Sequence, residues 1–395
     1  MSSPAIAFDD QRSGRLYDLA IGGLMYMSTL YFASNAVLLA VLALIAFSAP
    51  RRKSKGNLML VWVFVLLACV NIVLHLGVFD LSRHGSSPAV VLFGLTAMLA
   101  PGLRVLAFKV FVVLTCGEIA IGAYEYAMGQ VALTETQAAM ADQELAAESL
   151  LLYGNRVFGL SSNSSIFAEK IFLSLLLLVA VPGMFKRRTL PLLFIATGLF
   201  FSFSRTAIIS TLLFVVLLAT AGRLNWRNVA LGVGGIAVIG AVIGVNIDTV
   251  VLQFTRGRNE LSHSELARLY FWQKALELLV EDPLFGNGSL TFRVDDFVTG
   301  IPQHVHNSLL MLFTKHGLLI PLPLVAYILL NLRLTNWRVV VAMLSFSLTQ
   351  YFVFWNLSVP DIVFFYFLGR QLPACKPRDA TPVGAPAISL VGATS

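Results

Sequence analysis

The chain has 395 residues, of which 57% are hydrophobic and only 12% are charged. Soluble domains carry about 25% charged and about 45–50% apolar residues, so this composition excludes a soluble globular protein. The formal net charge of +7 is spread over short basic clusters between apolar runs, a pattern that fits membrane topology and argues against nucleic-acid binding.

The apolar runs are continuous, as in membrane-spanning helices, and do not alternate in segments of about ten residues as barrel strands do. We therefore predict an all-α polytopic membrane protein with about twelve transmembrane helices, in one transmembrane domain over residues 1–395. The predicted spans are 17–33, 35–49, 57–78, 88–101, 105–128, 160–184, 189–204, 206–222, 228–247, 306–330, 338–355 and 359–371.

The basic clusters orient these spans. With this number of spans, all of the clusters fall on one side, which the positive-inside rule makes the cytoplasm, together with both termini. The clusters are Arg51-Arg52-Lys53 with Lys55, Lys186-Arg187-Arg188, Arg223 with Arg227, Arg333 with Arg338, and Arg370 with Lys376 and Arg378. Residues 376–395, rich in Ala, Pro, Ser and Gly, are predicted to be a disordered cytoplasmic tail.

Two longer loops are predicted on the outer face. The first, 129–159, has helical spacing between Thr134 and Leu152. The second, 248–305, contains an amphipathic helix that begins near Ser262 or Ser264 and ends before Pro283.

Three polar features share this outer face. They are Gln303-His304-Val305-His306-Asn307 at the start of a span, Ser204-Arg205 between two spans, and Arg268 on the loop helix. Each arginine alone could simply reach lipid headgroups or water. His304 and His306 are two residues apart, and no carboxylate lies near them in sequence, so we predict no metal site.

Together the three features suit one kind of chemistry. An arginine pairs two phosphate oxygens and stays charged, and a histidine near neutrality can take a proton from an attacking hydroxyl. The set indicates a transferase with a lipid diphosphate donor. A transporter or flippase for lipid-linked oligosaccharide is the alternative, although no internal repeat supports it. Glu118, Glu169 and Lys170 are further candidates, because they are ionisable groups in or near spans.

The sequence resembles the O-antigen ligase and polysaccharide polymerase superfamily of bacterial inner membranes over roughly residues 155–330. The similar motifs are His306-Asn307 followed after nine residues by Gly317, Arg268 with Trp272 and then Pro283-Leu284-Phe285-Gly286-Asn287-Gly288, Ser204-Arg205, and Gly159-Leu160-Ser161-Ser162-Asn163. The ligase pattern often has Gly, Thr or Tyr five residues after the glycine, where this chain has Leu322. That departure leaves ligase and polymerase both open.

The resemblance implies a GT-C-type helical fold and a metal-independent, inverting glycosyl transfer without a cofactor. The donor would be a glycan on undecaprenyl diphosphate at the periplasmic face, which makes 129–159 and 248–305 periplasmic loops. The acceptor would be lipid A-core or the next lipid-linked unit. By analogy, His306 would be the general base, Arg205 and Arg268 would bind the diphosphate, and Asn307, His304, Gly317 and Trp272 would support them.

Overall fold

The structure is a computed structural model that describes residues 4–30, 35–48, 58–75, 89–128, 157–161, 163–181, 183–202, 204–219, 263–287, 294–295, 302–332, 337–355 and 357–369. This part of the chain is almost wholly helical. In chain order the helices are α1 (Pro4–Met27), α2 (Asn35–Ser48), α3 (Leu58–Leu74), α4 (Ala89–Leu99), α5 (Val105–Met128), α6 (Ser164–Ala180), α7 (Thr189–Phe201), α8 (Arg205–Ala219), α9 (His263–Glu281), α10 (Ser308–His316), α11 (Leu322–Asn331), α12 (Trp337–Ser347) and α13 (Val359–Gly369). A 3-10 turn, Ala100–Gly102, follows α4, and an antiparallel pair joins β1 (Val294–Asp295) to β2 (Pro302–Gln303).

The helices confirm the predicted all-α class and are consistent with a helical membrane protein. Among the described residues, one helix, Val105–Ala127, is long and apolar enough to cross a membrane. Eight shorter apolar helices accompany it. The predicted number of spans therefore stays a prediction. The predicted span 228–247, the predicted helix between Thr134 and Leu152, and the tail 376–395 lie outside the described residues.

The first helix begins at Pro4, before the predicted span 17–33, whose bounds stay a prediction. Another predicted span is interrupted. The predicted span 306–330 is two helices, α10 and α11, separated at Gly317. Gly317 has a backbone φ of +66°, which ends an α-helix, and Pro321 then precedes α11. Hydropathy continues through this break because the side chains stay apolar while the backbone changes direction.

Helix α13 lies at the centre of the core. Every one of its residues from Val359 to Gly369 is buried, as expected of a helix that is apolar on all sides. Aromatic side chains connect the surrounding helices: Phe172 of α6 stacks on Phe346 of α12 with ring centroids 5.0 Å apart, and Phe346 packs on Phe352 at 4.6 Å. The segment 349–352, which follows α12, is thus anchored in the core.

The ionisable groups of α5 and α6 form a buried polar network. Lys170 donates to both carboxylate oxygens of Glu118, at 2.6 and 2.5 Å. Glu118 also accepts hydrogen bonds from the hydroxyls of Tyr26 and Ser161 and from the amide of Leu160. A buried ion pair whose oxygens are all bonded fixes one arrangement of the helices around it. Glu169 is half-buried one residue before Lys170.

Candidate active site

The spacing between Asn307 and Gly317 is the length of one helix. The Asn307 side chain accepts a hydrogen bond from the amide of Leu310 at 2.9 Å, which caps the start of α10. Asparagine is a favoured residue at this position, because its oxygen pairs an amide that has no partner within the helix. The nine residues Ser308–His316 follow, and Gly317 ends the helix. The pair Asn307 and Gly317 therefore places His306 at the entrance to a helix of fixed length.

Gly317 also allows a close backbone contact with the turn after α9. A Cβ atom on Gly317 would lie 2.3 Å from the Leu284 carbonyl, and one on Gly286 would lie 2.4 Å from the Gly317 nitrogen. The amides of Leu318 and Leu319 donate to the carbonyls of Pro283 and Leu284, at 2.8 and 3.1 Å. The two glycines thus fasten the end of α9 to the end of α10.

We expect Gly317→Ala to destabilise the protein by on the order of 2–5 kcal/mol. Its φ of +66° and ψ of −169° belong to a region that only glycine adopts readily, and the added methyl group would overlap the Leu284 backbone. The measurement is the melting temperature of the detergent-solubilised protein, followed by tryptophan fluorescence. Gly117→Ala is the matched control, because a Cβ there meets nothing within 4 Å. Equal melting temperatures for the two variants would contradict the expectation.

The loop helix α9 contacts the segment that carries His306. The indole nitrogen of Trp272 donates to the Val305 carbonyl at 2.9 Å, and Thr314 donates to the Ala275 carbonyl at 3.2 Å. Arg268 lies four residues before Trp272 and therefore on the same face of α9. The charge of Arg268 acts on His306, so α9 places an arginine within electrostatic range of this histidine.

His306 stands just before α10, outside the helical segments, with a left-handed φ of +52°. This backbone conformation costs about 1–2 kcal/mol in an L-residue. The imidazole stacks on Tyr351 with centroids 4.8 Å apart, and the Tyr351 hydroxyl lies 3.3 Å from Nε2. Burial first, and then the charge of Arg268, lower the pKa of His306 to about 3, whereas a hydrogen bond with the Gln350 side chain opposes the shift. The imidazole is therefore neutral at neutral pH.

His304 belongs to the same aromatic cluster. Its ring meets Trp355 edge-on with centroids 4.8 Å apart, and Trp355 packs on Tyr351 at 4.2 Å. Lys315 of α10 packs against this cluster, with its Nζ atom 5.3 Å from the centre of the Trp355 ring. The cluster surrounds His306 with several aromatic side chains and a buried lysine.

Arg205 begins α8, as the Ser-Arg pattern predicted. The next residue, Thr206, accepts a hydrogen bond from the hydroxyl of Thr349 at 3.1 Å. The Ser308 hydroxyl donates to the Gln350 carbonyl at 3.0 Å and accepts from the amide of Phe352 at 3.0 Å. The segment 349–352 therefore joins the start of α8, with Arg205, to the start of α10, with His306.

The structure thus brings most of the predicted residues to one place. Trp272 bonds the residue before His306, Asn307 follows it as the cap of α10, and the charges of Arg268 and His304 act on it. Arg205 is connected to this segment through the neighbouring Thr206, which bonds Thr349. Gln350 and Tyr351 were not identified from the sequence, because they lie within a predicted span and far from His306 along the chain.

The aromatic residues beside Trp272 have a packing role. Tyr270 and Phe271 pack on Ala267 and Val294 of the loop.

Residues 190–321 match a protein-family model described as O-antigen ligase. The matched region lies within the stretch that carries the motifs and includes Arg205, Arg268, His306 and Gly317. No curated protein and no solved structure matches the chain significantly.

Proposed function

We propose that this O-antigen ligase-like membrane protein transfers a glycan from undecaprenyl diphosphate to an acceptor hydroxyl at the periplasmic face of the bacterial inner membrane. The acceptor is lipid A-core or the next lipid-linked repeat unit. The observation that carries the proposal is that the segment 349–352 joins the start of α8, with Arg205, to the start of α10, next to His306, while α9, with Arg268, bonds the residue before His306.

The transfer is a single displacement. The acceptor oxygen forms a bond to the anomeric carbon of the donor sugar while the bond from that carbon to the diphosphate oxygen breaks, and the attack from the opposite face inverts the anomeric centre. The acceptor's proton goes to His306, and the electron pair of the broken bond leaves with the diphosphate. A diphosphate is a good leaving group without protonation, so this reaction needs one base and no acid.

The two arginines carry the electrostatic part of this mechanism. Negative charge grows on the diphosphate as its bond to the sugar breaks, and fixed guanidinium groups stabilise that charge more strongly in the transition state than in the ground state. Arg205 enters from the start of α8 and Arg268 from α9, so the diphosphate would lie between a membrane helix and the loop helix. No metal ion is required in this arrangement.

His306 suits the role of general base because its imidazole is neutral. The pKa of about 3 describes the protein without donor, where burial and Arg268 both disfavour the imidazolium. A bound diphosphate would neutralise Arg268 and add negative charge, and both changes raise the pKa of His306. Donor binding thus turns a weak base into a stronger one at the moment when a base is needed.

The experiment that tests the function is glycan transfer with purified protein. The protein receives undecaprenyl-diphosphate-linked oligosaccharide with and without lipid A-core, and the products are separated by size. A ladder from the donor alone identifies a polymerase, and a single transfer that requires lipid A-core identifies a ligase. No transfer, together with movement of the donor across liposomes that contain the protein, would replace the enzyme with a flippase.

Tyr351→Phe tests how His306 is held. We expect kcat to fall roughly 2–10-fold, because the hydroxyl that contacts Nε2 contributes about 0.5–1.5 kcal/mol. The KM for the donor should stay unchanged, since Tyr351 contacts the base and not the diphosphate in this mechanism. Tyr124→Phe, on an exposed part of α5, is the control. A Tyr351→Phe effect confined to KM would contradict the assignment.

A further inference from the structure

Helix α9 presents three strips along its length. Ala267, Phe271 and Ala275 recur every four residues and are buried against the rest of the protein. A second strip is charged: Lys274 and Glu277 form an exposed ion pair at 2.6 Å, and Glu281 lies one turn further along. The third strip is apolar and exposed.

The exposed apolar strip consists of Leu269, Leu276 and Val280. Their exposed fractions are 51%, 50% and 77%. At 100° per residue these three side chains lie within about 40° of one another, whereas Glu277 and Glu281 lie about 60–100° further round the helix. Large apolar side chains that line up in this way, outside any apolar segment of the sequence, indicate a surface that something covers.

The strip continues onto the membrane helices. After α9, the turn exposes Leu284 and Phe285, and the backbone hydrogen bonds described above place Leu318 and Leu319, also exposed, beside that turn. The Asn71 side chain donates to the Phe285 carbonyl at 2.8 Å, which fixes the turn to the end of α3. There α3 exposes Val73 and Leu74.

The membrane helices that this apolar surface joins indicate what covers the exposed strip of α9. Helices α3 and α11 pack on each other, and their outward side chains, such as Leu66, Val70, Leu329 and Leu330, are exposed and apolar, as side chains in contact with lipid are. Exposed apolar side chains thus extend from these helices through the turn at Leu284 and Phe285 to α9, and we infer that this surface meets the same solvent. A helix with an apolar flank and a charged flank is the arrangement expected at a membrane surface.

We propose that α9 lies at the membrane–water boundary, with Leu269, Leu276 and Val280 among lipid acyl chains and Lys274, Glu277 and Glu281 in water. The bilayer is then a binding partner of this helix, which the sequence placed in an outer-face loop. Arg268 is then held at the level of lipid headgroups. This proposed position of α9 at the membrane surface does not depend on the proposed transfer reaction.

The test uses single-cysteine variants of the full chain in vesicles of phosphatidylethanolamine and phosphatidylglycerol. In a background with Cys69, Cys116 and Cys375 changed to Ser, Leu276→Cys and Val280→Cys are compared with Glu277→Cys and Glu281→Cys, each labelled with the fluorophore NBD. Cysteine is a mild change at these exposed positions, and retained size-exclusion behaviour in detergent checks the fold of each variant.

Nitroxide groups on the acyl chains should quench the label at 276 and 280 several-fold more than at 277 and 281. Aqueous iodide should show the opposite order. Equal iodide quenching at 276 and 277 would overturn the proposal, because the strip would then lie in water. Protection of position 276 that appears only as the protein-to-lipid ratio rises would also overturn it, since a second copy of the chain would be the occupant.

Discussion

His306→Ala is expected to lower the rate of glycan transfer by about 10²–10⁴-fold, the range that a general base contributes. The variant removes the proposed general base, while Tyr351, Gln350 and the cap of α10 by Asn307 remain. Initial rates with saturating donor and acceptor measure the effect, and thermal melting checks that the fold survives. His75→Ala is the control, because the His75 ring bonds the Asn71 carbonyl one turn earlier on α3 and has no part in the proposed mechanism. A rate within two- to three-fold of the control would remove His306 from the mechanism.

The pH dependence separates a base from a structural histidine. A base must be neutral to work, and a histidine of ordinary pKa, near 6.5, is only about 3% neutral at pH 5. Because burial and Arg268 lower the pKa of His306 to about 3, it remains neutral at pH 5, and kcat/KM should be retained there and lost only as the pH falls towards 3. The acid limb of kcat, which reports the donor complex, should lie at higher pH, since bound diphosphate raises this pKa. An acid limb of kcat/KM near 6.5 would contradict the burial of His306.

Much of this candidate site could be predicted because several of its residues lie at the ends of helices. Arg205 begins α8, and Asn307 and Gly317 bound α10. Helix boundaries leave short-range signals in a sequence, such as a capping side chain or a glycine with positive φ. The motifs that resembled a known family were therefore readable before the structure, and so was the loop helix that carries Arg268.

Residues that act through tertiary contacts could not be predicted in the same way. Tyr351 and Gln350 look like boundary residues of an apolar run, and only packing brings them to His306. Lys170 and Glu118 are 52 positions apart, and their pairing follows from the packing of α5 on α6. Apolar runs also hid the break at Gly317, because hydropathy reports where side chains are apolar and carries no information on backbone direction.

Arg268→Ala is expected to lower kcat about 10²–10³-fold, the typical loss when one group that stabilises developing charge is removed. Arg268→Lys should recover only part of the rate, because an ammonium cannot pair two phosphate oxygens at once. Arg205→Ala should have a similar effect, and the double variant should lose less than the product of the two single losses if both arginines act on one diphosphate. Arg104→Lys is the control, since Arg104 pairs with Asp18 at 3.7 Å and bonds the Ser48 carbonyl, away from α9 and α10.

A second readout distinguishes this role from a purely structural one. Arg268 lowers the pKa of His306 through its charge, so Arg268→Ala should move the acid limb of kcat/KM to higher pH, whereas Arg104→Lys should leave it in place. An Arg268 that merely held α9 against its neighbours would lower the melting temperature without moving this limb, because Trp272 and the contact of Gly286 with Gly317 would still fix the helix. A shift of the limb together with a loss of kcat would mean that the same guanidinium both tunes the base and stabilises the leaving diphosphate. Donor binding would then couple the two functions, since the diphosphate that occupies Arg268 also releases His306 from its charge.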